Sequence, residues 1–93
     1  MAYATSNPPV LITQGIAGFR LWKYESVDAA TLVRVAGYFT NGWQLGMRAN
    51  DIIFVTDTDT GGGTTTIHTV NSASAAGGVD LTDGLAVGVT DTD

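Results

Sequence analysis

Apolar and polar residues exchange places at a period of two in several short stretches of this chain, and never for long. Phe19-Arg20-Leu21-Trp22-Lys23-Tyr24 alternates, with Phe19, Leu21 and Lys23 on one face and Arg20, Trp22 and Tyr24 on the other; this predicts a strand with apolar groups on both sides. Asp28-Ala29-Ala30 has the character of a helical cap, but Thr31-Leu32-Val33-Arg34-Val35 is β-branched and alternating, so a strand is expected there. From Tyr38 to Asn50 no strand period survives. A short helix or pair of turns near 40–46, capped at Thr40, would bring Phe39 and Trp43 together at i and i+4. Ile52-Ile53-Phe54-Val55 is a continuous apolar run of strand length and reads as the central strand. Asp57 to Gly63 is a polar, glycine-rich connection, and Thr64 to Val70 alternates again, with Ile67 on one face and His68 and Val70 on the other. Asn71 to Gly78 reads as a second small-residue loop. Val79-Asp80-Leu81 and Leu85 to Val89 read as final strands around a turn at Thr82-Asp83-Gly84.

Short strands separated by frequent turn signals predict an all-β domain, a small barrel or sandwich, over residues 11–93. Residues 1–10, with Ser6, Asn7 and the Pro8-Pro9 pair, lack any period and read as an extended N-terminal arm.

Composition sharpens this picture because it is uneven. All eight aromatic residues and all four cations lie at or before Phe54. The remainder, with Val70, Val79, Leu81, Leu85, Val87 and Val89 as its main apolar content, cannot found a core and must add strands to a sheet founded elsewhere, in this chain or in a neighbour. A 93-residue chain buries only a little over about 60% of its extended surface on folding, and this one has no Cys to staple it. Association with other subunits is the expected source of additional stability. Charged residues make up 14% of the chain, well below the usual ~25%, as expected if part of the surface is covered.

Charge is also divided. Residues 1–48 hold four cations against Glu25 and Asp28, a net of +2; residues 49–93 hold seven Asp and no cation, a net of −7, which together give −5. An acidic half repels phosphates and the basic excess is scattered, so no nucleic-acid partner is expected. No run approaches the ~20 apolar residues of a membrane span, and Val10-Leu11-Ile12 is too short for a signal-peptide core, so no membrane partner and no export are expected.

Catalytic and metal chemistry find little support. Asp57-Thr58-Asp59 begins like a calcium loop, but Gly61 stands where a third ligand belongs and His68 where a bidentate Glu is required; a solvated turn is the simpler account. No Lys follows Gly61-Gly62-Gly63, as a phosphate loop requires. Ser6, Ser26, Ser72 and Ser74 have no neighbouring base, His68 is the single imidazole and Glu25 the single Glu. Trp22, Arg20 and Tyr24 have the chemistry to stack on sugar or peptide and Trp43 that to line a pocket, although core or subunit-contact packing explains these aromatics more simply. The expectation is a protein that is not an enzyme and uses no cofactor and no metal.

The stretch Gly37-Tyr38-Phe39-Thr40-Asn41-Gly42-Trp43-Gln44-Leu45-Gly46-Met47-Arg48-Ala49-Asn50-Asp51-Ile52-Ile53-Phe54-Val55, followed by Asp57-Thr58-Asp59 and a Thr-rich strand, resembles small virion structural proteins of tailed bacteriophages, the capsid decoration, cement or head-fibre proteins. The resemblance implies a β-rich subunit, made in the bacterial cytoplasm and carried on the capsid exterior, commonly as a homotrimer that braces the major capsid protein. It also implies an N-terminal arm that adds to the shell. On that expectation Tyr3, Pro8, Pro9 and Val10 of the arm, with Arg20, Trp22 and Arg34 of the aromatic, slightly basic half, contact partners, while the acidic half faces outward. The alternative is a tail-associated or fibre component that binds protein or carbohydrate on the host surface.

Overall fold

A computed structural model describes residues 3–13, 20–59 and 64–87. The apolar run at Ile52 does become the centre of the molecule. It forms β3 (Ile52–Asp57), paired in parallel with β2 (Leu21–Ser26) and antiparallel with β4 (Thr64–Ser74). Three shorter strands complete a six-stranded mixed sheet: β1 (Val10–Leu11) beside β2, β5 (Gly78–Leu81) beside the second half of β4, and β6 (Leu85–Ala86) beside its first half. The protein is all-β, its helical content limited to the two single turns α1 (Ala30–Val33) and α2 (Gly42–Leu45) among the described residues.

Because β2 and β3 are parallel, the chain must cross the sheet between them, and residues 27–51 do so over one face. That crossing supplies four of the eleven buried hydrophobic residues of the core. Val33, Tyr38, Phe39 and Met47 come down from it onto Trp22, Tyr24, Ile53, Val55, Val70, Val79 and Leu81 of the strands, all of them nearly devoid of exposure. Residues 64–87 of the tail thus add to a sheet founded in their own chain.

Two expected elements differ. Thr31–Val35 is not a strand: residues 30–33 make one helical turn, with Leu32 and Val33 N–H donating to the Ala29 carbonyl and Arg34 N–H to that of Ala30. The β-branched residues lose to geometry, since a chain leaving β2 must turn across the sheet, and a helical turn drives Val33 inward while Leu32 and Val35 stay exposed. Nor is Asn71–Gly78 a loop. β4 continues through Ser74, its register shifting between Val70 and Ser72 as it changes partner, and only residues 75–77 turn.

The helix near 40–46 is present but begins later, with Asn41 rather than Thr40 at its N-cap. It closes in a Schellman motif: Met47 N–H donates to the Gly42 carbonyl, Gly46 N–H donates to that of Trp43, and Gly46 takes φ 108°. Phe39 therefore precedes the helix and enters the core alone. Trp43 is half-buried under Arg48, whose guanidinium carbon lies 3.5 Å from the indole centroid. Gly42 is buried because a Cβ there would collide with the Val79 side chain; its absence lets α2 lie on β5.

Candidate interaction surface

The strand pairings place side chains in rows across the sheet, and alternate rows face away from the core. One such row runs Val10, Lys23, Phe54, Ile67, Leu85, each residue directly opposite the next on β1, β2, β3, β4 and β6. Beside it lies Leu21, Ile52, Thr69, extended by Ile12, whose N–H donates to the Leu21 carbonyl. On the other side lies Glu25, Thr56, Thr65, bounded by Val87, whose N–H donates to the Thr65 carbonyl. No element described here covers these rows. Val10 is 60%, Ile12 54%, Ile52 36%, Leu85 71% and Val87 42% exposed, and Leu21, Phe54 and Ile67 are half-buried by their neighbours alone.

Strand spacing and rise give this face a footprint of about 500 Å². Threonines and the Lys23–Glu25 pair share this footprint with the apolar side chains, and a face with so much exposed apolar area is often a contact surface. Its charged side chains satisfy each other: Lys23 Nζ donates to Thr56 Oγ1 at 2.5 Å and lies 3.6 Å from Glu25 Oε2, while Thr56 shares a 2.9 Å hydrogen bond with Thr65.

The residues expected to meet partners are distributed differently. Tyr3 packs its ring edge-on against Phe39 at 5.3 Å and close to Tyr24 and Tyr38, and donates to Asn41 Oδ1 at 2.6 Å. Pro9 is buried, Pro8 is half-buried and Asn7 Nδ2 donates to the Glu25 carbonyl, so residues 3–9 lie along their own sheet. Trp22, expected on a contact face, is 2% exposed and beyond any partner's reach. Arg20 is committed as well. Its Nε is 2.9 Å from both carboxylate oxygens of buried Asp51, which also accepts from Trp22 Nε1 at 3.1 Å and Arg48 N–H at 2.9 Å. Arg34 lies apart, donating to the Asp83 carbonyl at 3.2 Å. The cations therefore form no single basic face; of the expected set, Val10 alone lies in the open row.

Chemically reactive groups are tied into structure. Tyr24 donates to Tyr38 at 2.8 Å, and Tyr38 donates to buried Asp28 at 2.5 Å. Burial first, and then the hydrogen bond to Asp28, push the Tyr38 phenol far above its ordinary pKa; burial likewise raises that of Tyr3. His68 is 1% exposed, its Nδ1 donating to the Thr82 carbonyl at 2.8 Å and its Nε2 bonded to Thr66 Oγ1 at 2.7 Å. The ring lies where a Cβ on Gly84, at φ 85°, would strike it. Asp59 N–H donates to Asp57 Oδ1 in an exposed turn. Among the described residues no three His, Cys, Asp or Glu side chains converge as metal ligands, and no helix is long and apolar enough to cross a membrane.

Two open grooves lie at the margin of the sheet face and beyond it. One, about 420 Å³, includes Asn7, Glu25, Ser26 and Thr58; the other, about 300 Å³ and more apolar, runs beside Tyr3, Leu32, Val35 and Tyr38. Neither holds an acid, base and nucleophile in hydrogen-bonding order.

The expectation of a central strand at Ile52–Val55 does not by itself divide the run between two faces. The signal lay in that run: a strand apolar at every position wants cover on both sides. In comparisons with protein-family models, curated proteins and solved structures, nothing matches this chain.

Proposed function

We propose that this protein is a structural assembly subunit, a decoration or cement protein that associates with copies of itself and with the major capsid protein on the outside of a phage head. The observation that carries the assembly reading is the open sheet face: a row apolar at four of its five positions crosses five strands, and the charges of the face, Lys23 and Glu25, are mutually paired. Such a surface is costly to leave in water at about 25 cal/mol per Å² and is retained where something covers it. The phage assignment rests on the resemblance of residues 37–55, which supply the later part of the crossing and the first four residues of β3. On this reading the chain works by contact area and copy number: many weak contacts on a lattice add to firm attachment.

The test is the copy number of this chain relative to the major capsid protein in purified particles, by quantitative mass spectrometry. A ratio near one to one supports shell decoration. A handful of copies moves the chain to the tail or a fibre, and none removes it from the virion.

A further inference from the structure

We infer that the open sheet face is covered by the same face of a second copy, the two sheets packing across a two-fold axis that runs along β3. The inference rests on the assembly reading and gives it a specific contact.

Three observations support it. The first is area. Two faces of about 500 Å² remove about 1,000 Å² from water, counting the footprint alone, which reaches the lower bound for a specific interface. The second is charge. The chain carries a net −5, yet this face holds one cation and one anion, already 3.6 Å apart, so an identical face meets no net like charge, while an acidic or basic partner gains nothing from it. The third is the order of the row. Phe54 is its midpoint, with Val10 and Leu85 at the ends.

An axis along β3 lays Phe54 on Phe54, Val10 of one copy over Leu85 of the other, and Lys23 against Ile67. An axis across the strands would instead lay Lys23 on Lys23, a like-charge contact that disfavours it. The chosen axis also covers the two most exposed apolar side chains of the row, Leu85 at 71% and Val10 at 60%, with each other. Aligned sheets about 10 Å apart then make a β-sandwich from two chains. A pair of this kind closes by itself, unlike the three-fold ring that the resemblance implies.

The experiment uses the purified full chain without particles, so its result is independent of whether the protein is found on a virion. Light scattering after size exclusion gives the mass across a concentration series, and circular dichroism gives each variant's melting temperature. Wild type is expected at twice the chain mass. Val10→Lys and Leu85→Glu, both at exposed positions, should each raise the dissociation constant by about tenfold or more, with unfolding of the isolated chain little altered. The double variant should restore pairing, because each Lys then faces a Glu across the axis. A wild type that stays monomeric to about 100 µM, where a contact of this size should already be populated, overturns the inference. So does a trimer, or a dimer that neither single variant weakens. Failure of the double variant to recover refutes the β1-over-β6 arrangement.

Discussion

The two faces of one sheet have similar apolar side chains and opposite fates. On the inner face Ile53 and Val55 of β3 lie under the 27–51 crossing and lose almost all exposure; on the outer face Ile52 stays 36% exposed and Phe54 half-buried. Nothing in the composition of β3 distinguishes them. What separates them is the parallel pairing of β2 with β3, which forces the connecting segment over one side and, among the described residues, leaves the other without a covering element.

That comparison breaks most severely at Asp51. Replacing it with Ala strands the Trp22 indole N–H and the Arg48 amide and frees Arg20 from its partner, so Asp51→Ala should cost about 3–5 kcal/mol in urea unfolding. A loss under about 1 kcal/mol would show that the carboxylate does not hold the inner face together. Next in size is a matched pair on β3. Ile53→Thr buries a hydroxyl in the core and should cost about 2–3 kcal/mol, whereas Ile52→Thr, one residue away, should stay within about 0.5 kcal/mol when measured on the isolated monomer.

Tyr38→Phe should cost about 1–2 kcal/mol at neutral pH, through the lost bonds to Asp28 and Tyr24. Its pH dependence provides a sharper reading. The folded-state pKa of Tyr38 is raised, so its contribution is complete below the unfolded value of about 10 and is lost as pH climbs toward the folded one. Stability should therefore decline above about pH 10 in the wild type and decline less in the variant, as followed by chemical denaturation at a series of alkaline pH values. The smallest effect belongs to the exposed Asp57 turn: Asp57→Asn should change stability by less than about 0.5 kcal/mol.

Much of the fold could be read directly from the sequence. The alternation of Leu21–Tyr24, the apolar run at Ile52, the face shared by His68 and Val70 and the strands at Val79 and Leu85, both of which pair with β4, all depend on local period, which survives folding; the expected continuation of the last strand to Val89 lies outside the described residues. The Thr31–Val35 turn was hidden because its β-branched residues favour a strand, and only the need to cross the sheet overrules them. The second half of β4 was hidden because Asn, Ser and Ala carry no apolar signal; its ladder with β5 holds it in place. The candidate surface is legible at Val10 and in the all-apolar run of β3 but not beyond them, since a row across five strands combines residues from 10 to 85 and exists only once the register is known. Arg20 and Trp22 misled for the same reason: their partner, Asp51, is remote in sequence and adjacent in space.

Asp51 also acts as a proofreading device. A parallel strand that slips by one residue exposes its core side, but a slip of two preserves the inward set, so greasy side chains alone tolerate it. Such a slip of β2 against β3 would carry both the Trp22 indole and the Arg20 guanidinium about 6–7 Å from the carboxylate that now receives them. The error would leave an ion without its counterion inside the protein, a penalty that hydrophobic misalignment does not impose. In a chain whose loops are rich in glycine and indifferent to alignment, one aspartate enforces the frame in which the outer row lines up at all.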